Sequence, residues 1–260
     1  MIRGLYTAVS GMIAQQRRQD MLTNNMANAN TPGYKADQAS LRTFPRMLLA
    51  NLSQTYETSS NELATGVYLQ ETIPNFLQGS LMETNNRTDV ALIDGNRPEN
   101  STLMFVVQTE DGLRYTRNGN FAIDNEGRLV TRQGMPVLDV NGNPIFLQSE
   151  NFQLLTDGAI IENNVQIAQL DVAFIADANQ LVKEGNGLFR YEGDAPASAV
   201  GNPDVDYQLQ QGFIERSNVD LQQTMAEMLN TYRMFEANQK VLQAYDQSLD
   251  KAVNEVGRIV

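Results

Sequence analysis

The feature that most constrains this chain is a stepped apolar row near its C-terminal end. Leu221, Met225, Met228, Tyr232, Phe235, Gln239, Leu242, Asp246, Leu249, Val253, Val256 and Val260 advance alternately by four and three positions, and ten of the twelve are apolar. Sustained alternation of this kind marks a coiled-coil stripe rather than the wider face of an ordinary globular helix. With no Pro after Val205, a helix from Leu221 to Gly257 is expected, ~55 Å long at 1.5 Å per residue. Ser217, Asn218 and Asp220 are the N-cap candidates and Gly257 the stop.

The N-terminal end repeats the step more thinly, at Leu5, Ala8, Met12, Gln15, Gln19, Leu22 and Met26, and Thr31-Pro32-Gly33 ends the helix. Gln15, Gln19 and Gln239 are costly at buried seam positions unless paired, and polar seam residues can fix register. The C-terminal seam is too long for the N-terminal helix to cover, so apolar surface is expected to remain for other subunits. Packing of both helices on the chain's own sheet is the alternative.

From Leu103 onward, strand-forming runs are punctuated by Asp111-Gly112, Asn118-Gly119, Glu126-Gly127, Gln133-Gly134, Asn141-Gly142 and Asp157-Gly158, pairs suited to tight turns. Phe121 and Ile123, then Leu129 and Thr131, alternate as half-buried strands do. The expectation is an antiparallel β domain, with Phe174, Phe189 and Tyr191 in its core. Leu41 to Ala50 reads as a short helix interrupted by Pro45. Residues 51 to 66, polar and without period, read as an extended loop or arm, either disordered or built to order on assembly.

The composition excludes much chemistry. With no Cys, His or Trp, there are no thiolate or imidazole metal sites, no Cys or His nucleophile systems and no disulfides. The net charge of −12 disfavours phosphate backbones, so nucleic acid is not an expected partner. Residues 1 to 35 carry four bases and one acid, and residues 213 to 260 five bases and seven acids, which leaves −13 on the middle, as suits a solvated outer face. No run approaches the roughly 18 apolar residues of a membrane span, and Thr7, Ser10, Gln15 and Gln16 interrupt any secretory signal. Membrane insertion and a cleaved signal peptide are therefore not expected. Asp111, Asp124, Glu126, Asp139 and Asp157 all lie close before Gly, where acids favour turns. Asp139 to Asn143 lacks the glycine and glutamate placement of a calcium loop, and Gly193 to Gly201 lacks the Lys-Ser or Lys-Thr of a phosphate loop. No catalytic residue, cofactor or metal site is expected.

Three separated motifs, in order, resemble one family. Asn24-Asn25-Met26-Ala27-Asn28-Ala29-Asn30-Thr31-Pro32-Gly33-Tyr34-Lys35 follows the first helix. Gln78-Gly79-Ser80-Leu81 with Asp89-Val90-Ala91, and Arg114-Tyr115-Thr116-Arg117-Asn118-Gly119-Asn120-Phe121, stand in the middle. Gly212-Phe213-Ile214-Glu215 and Ser217-Asn218-Val219-Asp220-Leu221 introduce the last helix. This pattern is similar to flagellar axial proteins of the rod and hook class, and departs from it at the Asp94 to Ser101 loop and in residues 51 to 66.

The resemblance implies an α+β fold, with long N- and C-terminal helices in a coiled-coil layer and a central antiparallel β domain. Its parts would be an axial helix over 1–30, an arm over 31–77, the β domain over 78–211 and an axial helix over 212–260. It implies a non-enzymatic subunit that polymerises with itself into a helical tube transmitting motor torque, and that meets other rod and hook proteins. It also implies export through the flagellar type III apparatus to the basal body, which gives a reason for the absent Cys. The long stretch between Tyr34 and Gln78 is more like the distal than the proximal rod protein or a hook-type subunit. The seam residues would be the self-assembly interface, and Asn25, Asn28, Asn30, Thr31, Pro32, Gly33 and Tyr34 the turn from helix to arm. Rival readings are a monomeric β-sandwich binding module with helical caps and a carboxylate-dependent glycan hydrolase.

Overall fold

A computed structural model describes residues 2–43, 47–48, 62–63, 66–149, 151–193, 195–203 and 205–256. The chain divides into two units, one of residues 1–27, 37–73 and 220–260, the other of residues 28–36 and 74–219. The class is α+β, with one helix at each end of a sheet-rich, mostly antiparallel body. Among the described residues no helix is long and apolar enough to cross a membrane.

The first unit is a helical pair with short strands. Helix α1 spans Ile2–Ala27 and helix α2 spans Leu221–Val256. Of the three N-cap candidates, Asp220 caps α2: its Oδ1 accepts from the backbone N–H of Gln222 at 2.8 Å and of Gln223 at 3.1 Å. The helices run antiparallel, since Gly4 lies against Tyr245, Gly11 against Asn238, and Arg18 against Glu227. Strand Asp37–Thr43 lies beside Val67–Pro74, and Met47–Leu48 pairs with Glu62–Leu63. The short helix expected over residues 41 to 50 is not formed: the described residues of that stretch, 41–43 and 47–48, are extended. Pro45 interrupts the stretch, and both described parts find strand partners for their backbone groups. Residues 51–61 and 64–65 of the expected arm lie outside the described residues, as does Gly257.

The second unit is built around strand Thr102–Thr109, whose apolar run is buried on both faces. Leu103, Phe105 and Val107 enter one core with Val90, Phe121, Leu129, Ile160 and Leu209, while Met104 and Val106 enter a second with Tyr115, Ile175 and Phe189. The period of two sends alternate side chains to opposite faces, and an uninterrupted apolar run therefore marks a strand covered on both sides. Of the aromatics expected in the core, Phe189 is buried in it, and Phe174 and Tyr191 are partly buried against it. The central strand belongs to a six-stranded sheet ordered Leu181–Lys183, Leu188–Tyr191, Gly112–Thr116, Thr102–Thr109, Val172–Ile175, Ala197–Ser198.

Five of the six anticipated glycine pairs are turns with glycine at positive φ; Asn118-Gly119 is not one of them. A Cβ on Gly119 would lie 1.7 Å from the Val90 carbonyl oxygen, so this glycine permits a close backbone crossing instead. The turn acids hold backbone N–H groups: Asp124 Oδ1 accepts from Glu126 and Arg128, Asp139 Oδ1 from Asn141 and Asn143, and Asp157 Oδ1 from Ala159.

Candidate self-assembly site

Every proposed seam residue of α1, from Leu5 through Ala8, Met12, Gln15, Gln19 and Leu22 to Met26, is buried or half-buried. Helix α2 behaves differently. Its covered positions include Thr224, Met228, Thr231, Phe235, Asn238, Leu242 and Tyr245, a row that again steps by four and three, with Glu227, Glu236 and Ala252 half-buried beside it. They share Met228, Phe235 and Leu242 with the anticipated seam, but the other half of the row is displaced by one residue. Leu221, Met225, Tyr232, Gln239, Leu249 and Val253 are exposed, Met225 at 58% and Val253 at 71%. Leu229 joins them at 61%. The side chains of Val256 and Val260 lie outside the described residues.

The helix thus turns inward a mixed row, in which Met228, Phe235, Leu242 and Tyr245 alternate with Thr224, Thr231 and Asn238, and turns an apolar row outward. Two contacts explain how. Tyr245 and Asn238 lie directly over Gly4 and Gly11, where a Cβ would come within 2.2 Å of the Tyr245 hydroxyl and 3.0 Å of Asn238 Nδ2. Thr224 and Thr231 are buried without cost to their hydroxyls, which donate to the carbonyls of Asp220 at 2.6 Å and Glu227 at 2.8 Å within the same helix. Gln15 Oε1 is buried without a partner among the described residues, whereas the exposed Gln239 carries no such penalty.

The turn residues separate. Asn25, at the end of α1, exchanges two hydrogen bonds with the Asp37 backbone, Nδ2 to O at 2.8 Å and N to Oδ1 at 2.9 Å. In the second unit, Asn28 accepts from the Thr31 backbone and hydroxyl at 3.0 and 3.2 Å, and Pro32 leads into the buried Gly33 and Tyr34, while Asn30 is exposed. Gly33 has φ +68°, and a Cβ there would meet the Arg117 and Asn118 backbone at 2.5 Å. Its N–H donates to the Glu215 carbonyl at 2.8 Å. The Lys183 ammonium stands 4.0 Å from the Tyr34 ring centroid. Asn218 accepts from Ala36 N–H at 2.8 Å and donates to the carbonyls of Asn75 and Leu77 at 2.8 and 3.0 Å.

Beneath this crossing lies a group of charges whose role the residue patterns did not reveal. Lys35 Nζ donates to Glu215 Oε1 at 2.7 Å and to the Leu77 carbonyl at 2.8 Å. Arg117 Nε donates to Glu215 Oε2 at 2.5 Å, and its other nitrogens donate to the Leu103 and Leu92 carbonyls at 2.7 and 2.9 Å. Asp94, the last residue of strand Val90–Asp94 where the departure from the family pattern begins, brings a carboxylate oxygen 2.8 Å from Arg117 Nη2 in an ion pair. Arg97 lies 3.5 Å from the same carboxylate. Burial pushes the Glu215 carboxyl up, but Arg117 and Lys35 outweigh it and hold the group below the usual carboxylate range. Burial lowers the Lys35 ammonium below its ordinary value, opposed by Glu215. The sequence signal was faint: each motif carries a charge, Lys35, Arg117 or Glu215, among turn and apolar residues.

Known proteins match along the whole chain. Residues 5–35 match the family described as flagella basal body rod protein, residues 102–188 the flagellar hook protein FlgE/F/G D1 domain, and residues 210–255 the flagellar basal body rod FlgEFG protein C-terminal family. The flagellar hook-basal body complex protein FlhO of Bacillus subtilis is 46% identical over 100% of both chains. The flagellar basal-body rod protein FlgG of the same organism is 32% identical over 98% of this chain and 99% of its own. The flagellar basal-body rod protein FlgF of Caulobacter vibrioides is 29% identical over 100% of both. Helix ends, crossing motifs and sheet body all fall within these matches, and the chain belongs to the flagellar basal-body rod and hook protein family, whose members are structural parts of the hook-basal body complex and not enzymes.

Proposed function

We propose that this chain is an axial subunit of the distal rod type that polymerises with its own copies through α1 and α2 into a torque-transmitting tube. The observation that carries the reading is the outward apolar row Leu221, Met225, Leu229 and Tyr232, left uncovered after α1 has paired with α2. By the spacing of the paired residues, α1 also reaches its first residues near Tyr245, so Leu249 to Val256 extends beyond it. Both surfaces suit neighbouring copies. The distal assignment is supported by the long segment between Tyr34 and Gln78. Delivery through the flagellar type III apparatus, without a cleaved signal peptide, belongs to the same reading.

The discriminating experiment uses Met225→Asp with Tyr232→Asp, two exposed positions that leave the covered row intact. The expected result is a folded subunit that forms no rods and gives non-motile cells; rods of normal length would sink the proposal. Electron microscopy of basal bodies from a strain lacking this gene tests the position, with a rod stopping at its distal segment expected. A complete rod carrying an incomplete hook would move the subunit to the hook.

A further inference from the structure

The buried charges join segments far apart in the chain: Lys35 from the crossing that follows α1, Asp94 and Arg117 from the body, and Glu215 from the crossing that precedes α2. Lys35, Arg117 and Glu215 have side chains no more than 2% exposed, and Asp94 9%. We propose that the four form a charge-balanced latch, so that the two crossings order together and neither is fixed until Glu215 is seated between Lys35 and Arg117.

The argument is one of charge count in a dry site. Among the side chains no more than 9% exposed, two cations and two anions balance, while Arg97, 19% exposed beside Asp94, keeps its charge at the solvated rim. Without Glu215, Lys35 and Arg117 share only Asp94, and one buried cation is uncompensated. Without Lys35, the excess is one anion. Removing one partner of a buried pair is strongly destabilising because the stranded charge stays buried, whereas removing both members of an opposite pair is far milder. Apolar contacts lack this property, since their contributions vary with area and not with the balance of signs.

The latch also reaches the core. Arg117 donates to the Leu103 carbonyl on the central strand and to the Leu92 carbonyl on strand Val90–Asp94, while Glu215 Oε1 accepts from Gly79 N–H at 2.7 Å. Glu215 ends strand Phe213–Glu215, which pairs with Leu81–Glu83. Seating Glu215 therefore fixes the Gly79 segment, the Gly33 to Lys35 crossing and the Arg117 side chain in one event. The chain carries the two halves of this device 180 residues apart, so a body lacking its C-terminal crossing holds excess positive charge and stays loose.

The test uses amide hydrogen exchange on the full chain, read at residues 33–36, 103–107 and 213–216, for Glu215→Gln, Lys35→Met and the two together. Each single variant is expected to lose protection at all three segments by roughly a hundredfold or more, the effect of stranding a buried charge. The double variant keeps the neutral Arg117–Asp94 pair and is expected to recover at least about tenfold of that loss. Losses that simply multiply in the double variant would overturn the proposal, as would a Glu215→Gln effect confined to residues 213–216. If Glu215→Gln does not fold, the double variant decides: a folded double supports the latch, and an unfolded one overturns it.

Discussion

The β body and the helical pair handle burial in opposite ways. In the body, the central strand is covered on both faces, and the buried Lys35, Arg117 and Glu215 are paired with charges from the same unit. In the helical pair, α1 is covered along its stripe, yet α2 leaves Met225, Leu229, Tyr232 and Val253 about half exposed or more, between 49% and 71%. The body's central strand is covered by its own residues, although single apolar side chains such as Phe146 and Val165 stand exposed at its surface. The helices are not so covered, because a two-helix contact can cover only one side of each, and α2 has apolar side chains on two. An exposed row of this kind in a structural subunit has a use when other copies supply the missing face.

The contrast can be broken most severely from within the body. Phe105→Ala removes a fully buried ring that stands edge-on to Phe121 at 5.2 Å, and should cost about 3–5 kcal/mol in urea unfolding of the body. A change under about 1 kcal/mol would mean the core relaxes into the space.

Acid attacks the same unit through Glu215. Its folded pKa is depressed, so the stability it contributes is fully present above the unfolded value, about 4.3, and is lost as pH falls through the lower folded value. Acid titration of body unfolding should show this decline below about pH 4, and Glu215→Gln should flatten it. At the crossing, Gly33→Ala forces a side chain into positive φ and against the Arg117 backbone, and should lower body stability by about 2 kcal/mol.

Smaller changes probe the helices. Asp220→Ala removes the cap of α2 and should cost about 1 kcal/mol, read as lost helical signal on heating. Gln15→Leu should act in the opposite direction, raising the stability of the helical pair by about 1 kcal/mol, because it removes an acceptor buried without a partner. Met225→Asp with Tyr232→Asp should change monomer stability by no more than about 0.5 kcal/mol while abolishing assembly. That pairing of outcomes sharpens the comparison most, since it separates the surface that folds the chain from the surface proposed to meet neighbouring copies.

Much of this was legible from residues alone, and unevenly. The step of four and three located both helices, Asp220 was among the anticipated caps, and the glycine pairs marked five turns. The expected helix over residues 41 to 50 failed where strand partners took the backbone. Asn118-Gly119 looked like another turn, and its true constraint is the Val90 carbonyl lying where a side chain would be.

Local periodicity and turn chemistry are properties of neighbours in sequence, and so the sequence by itself determined the elements, the absence of thiol and imidazole chemistry, and the presence of more apolar helix surface than one partner could cover. Which row of α2 faces α1 is a different matter. Met228, Phe235 and Leu242 fit two registers equally well, and the choice fell to Gly4 and Gly11, whose bare backbones admit Tyr245 and Asn238. Likewise Lys35, Arg117 and Glu215 are ordinary charges in one dimension. Only the tertiary structure, by carrying them 98 and 180 residues across the chain into one dry site, made their signs interdependent.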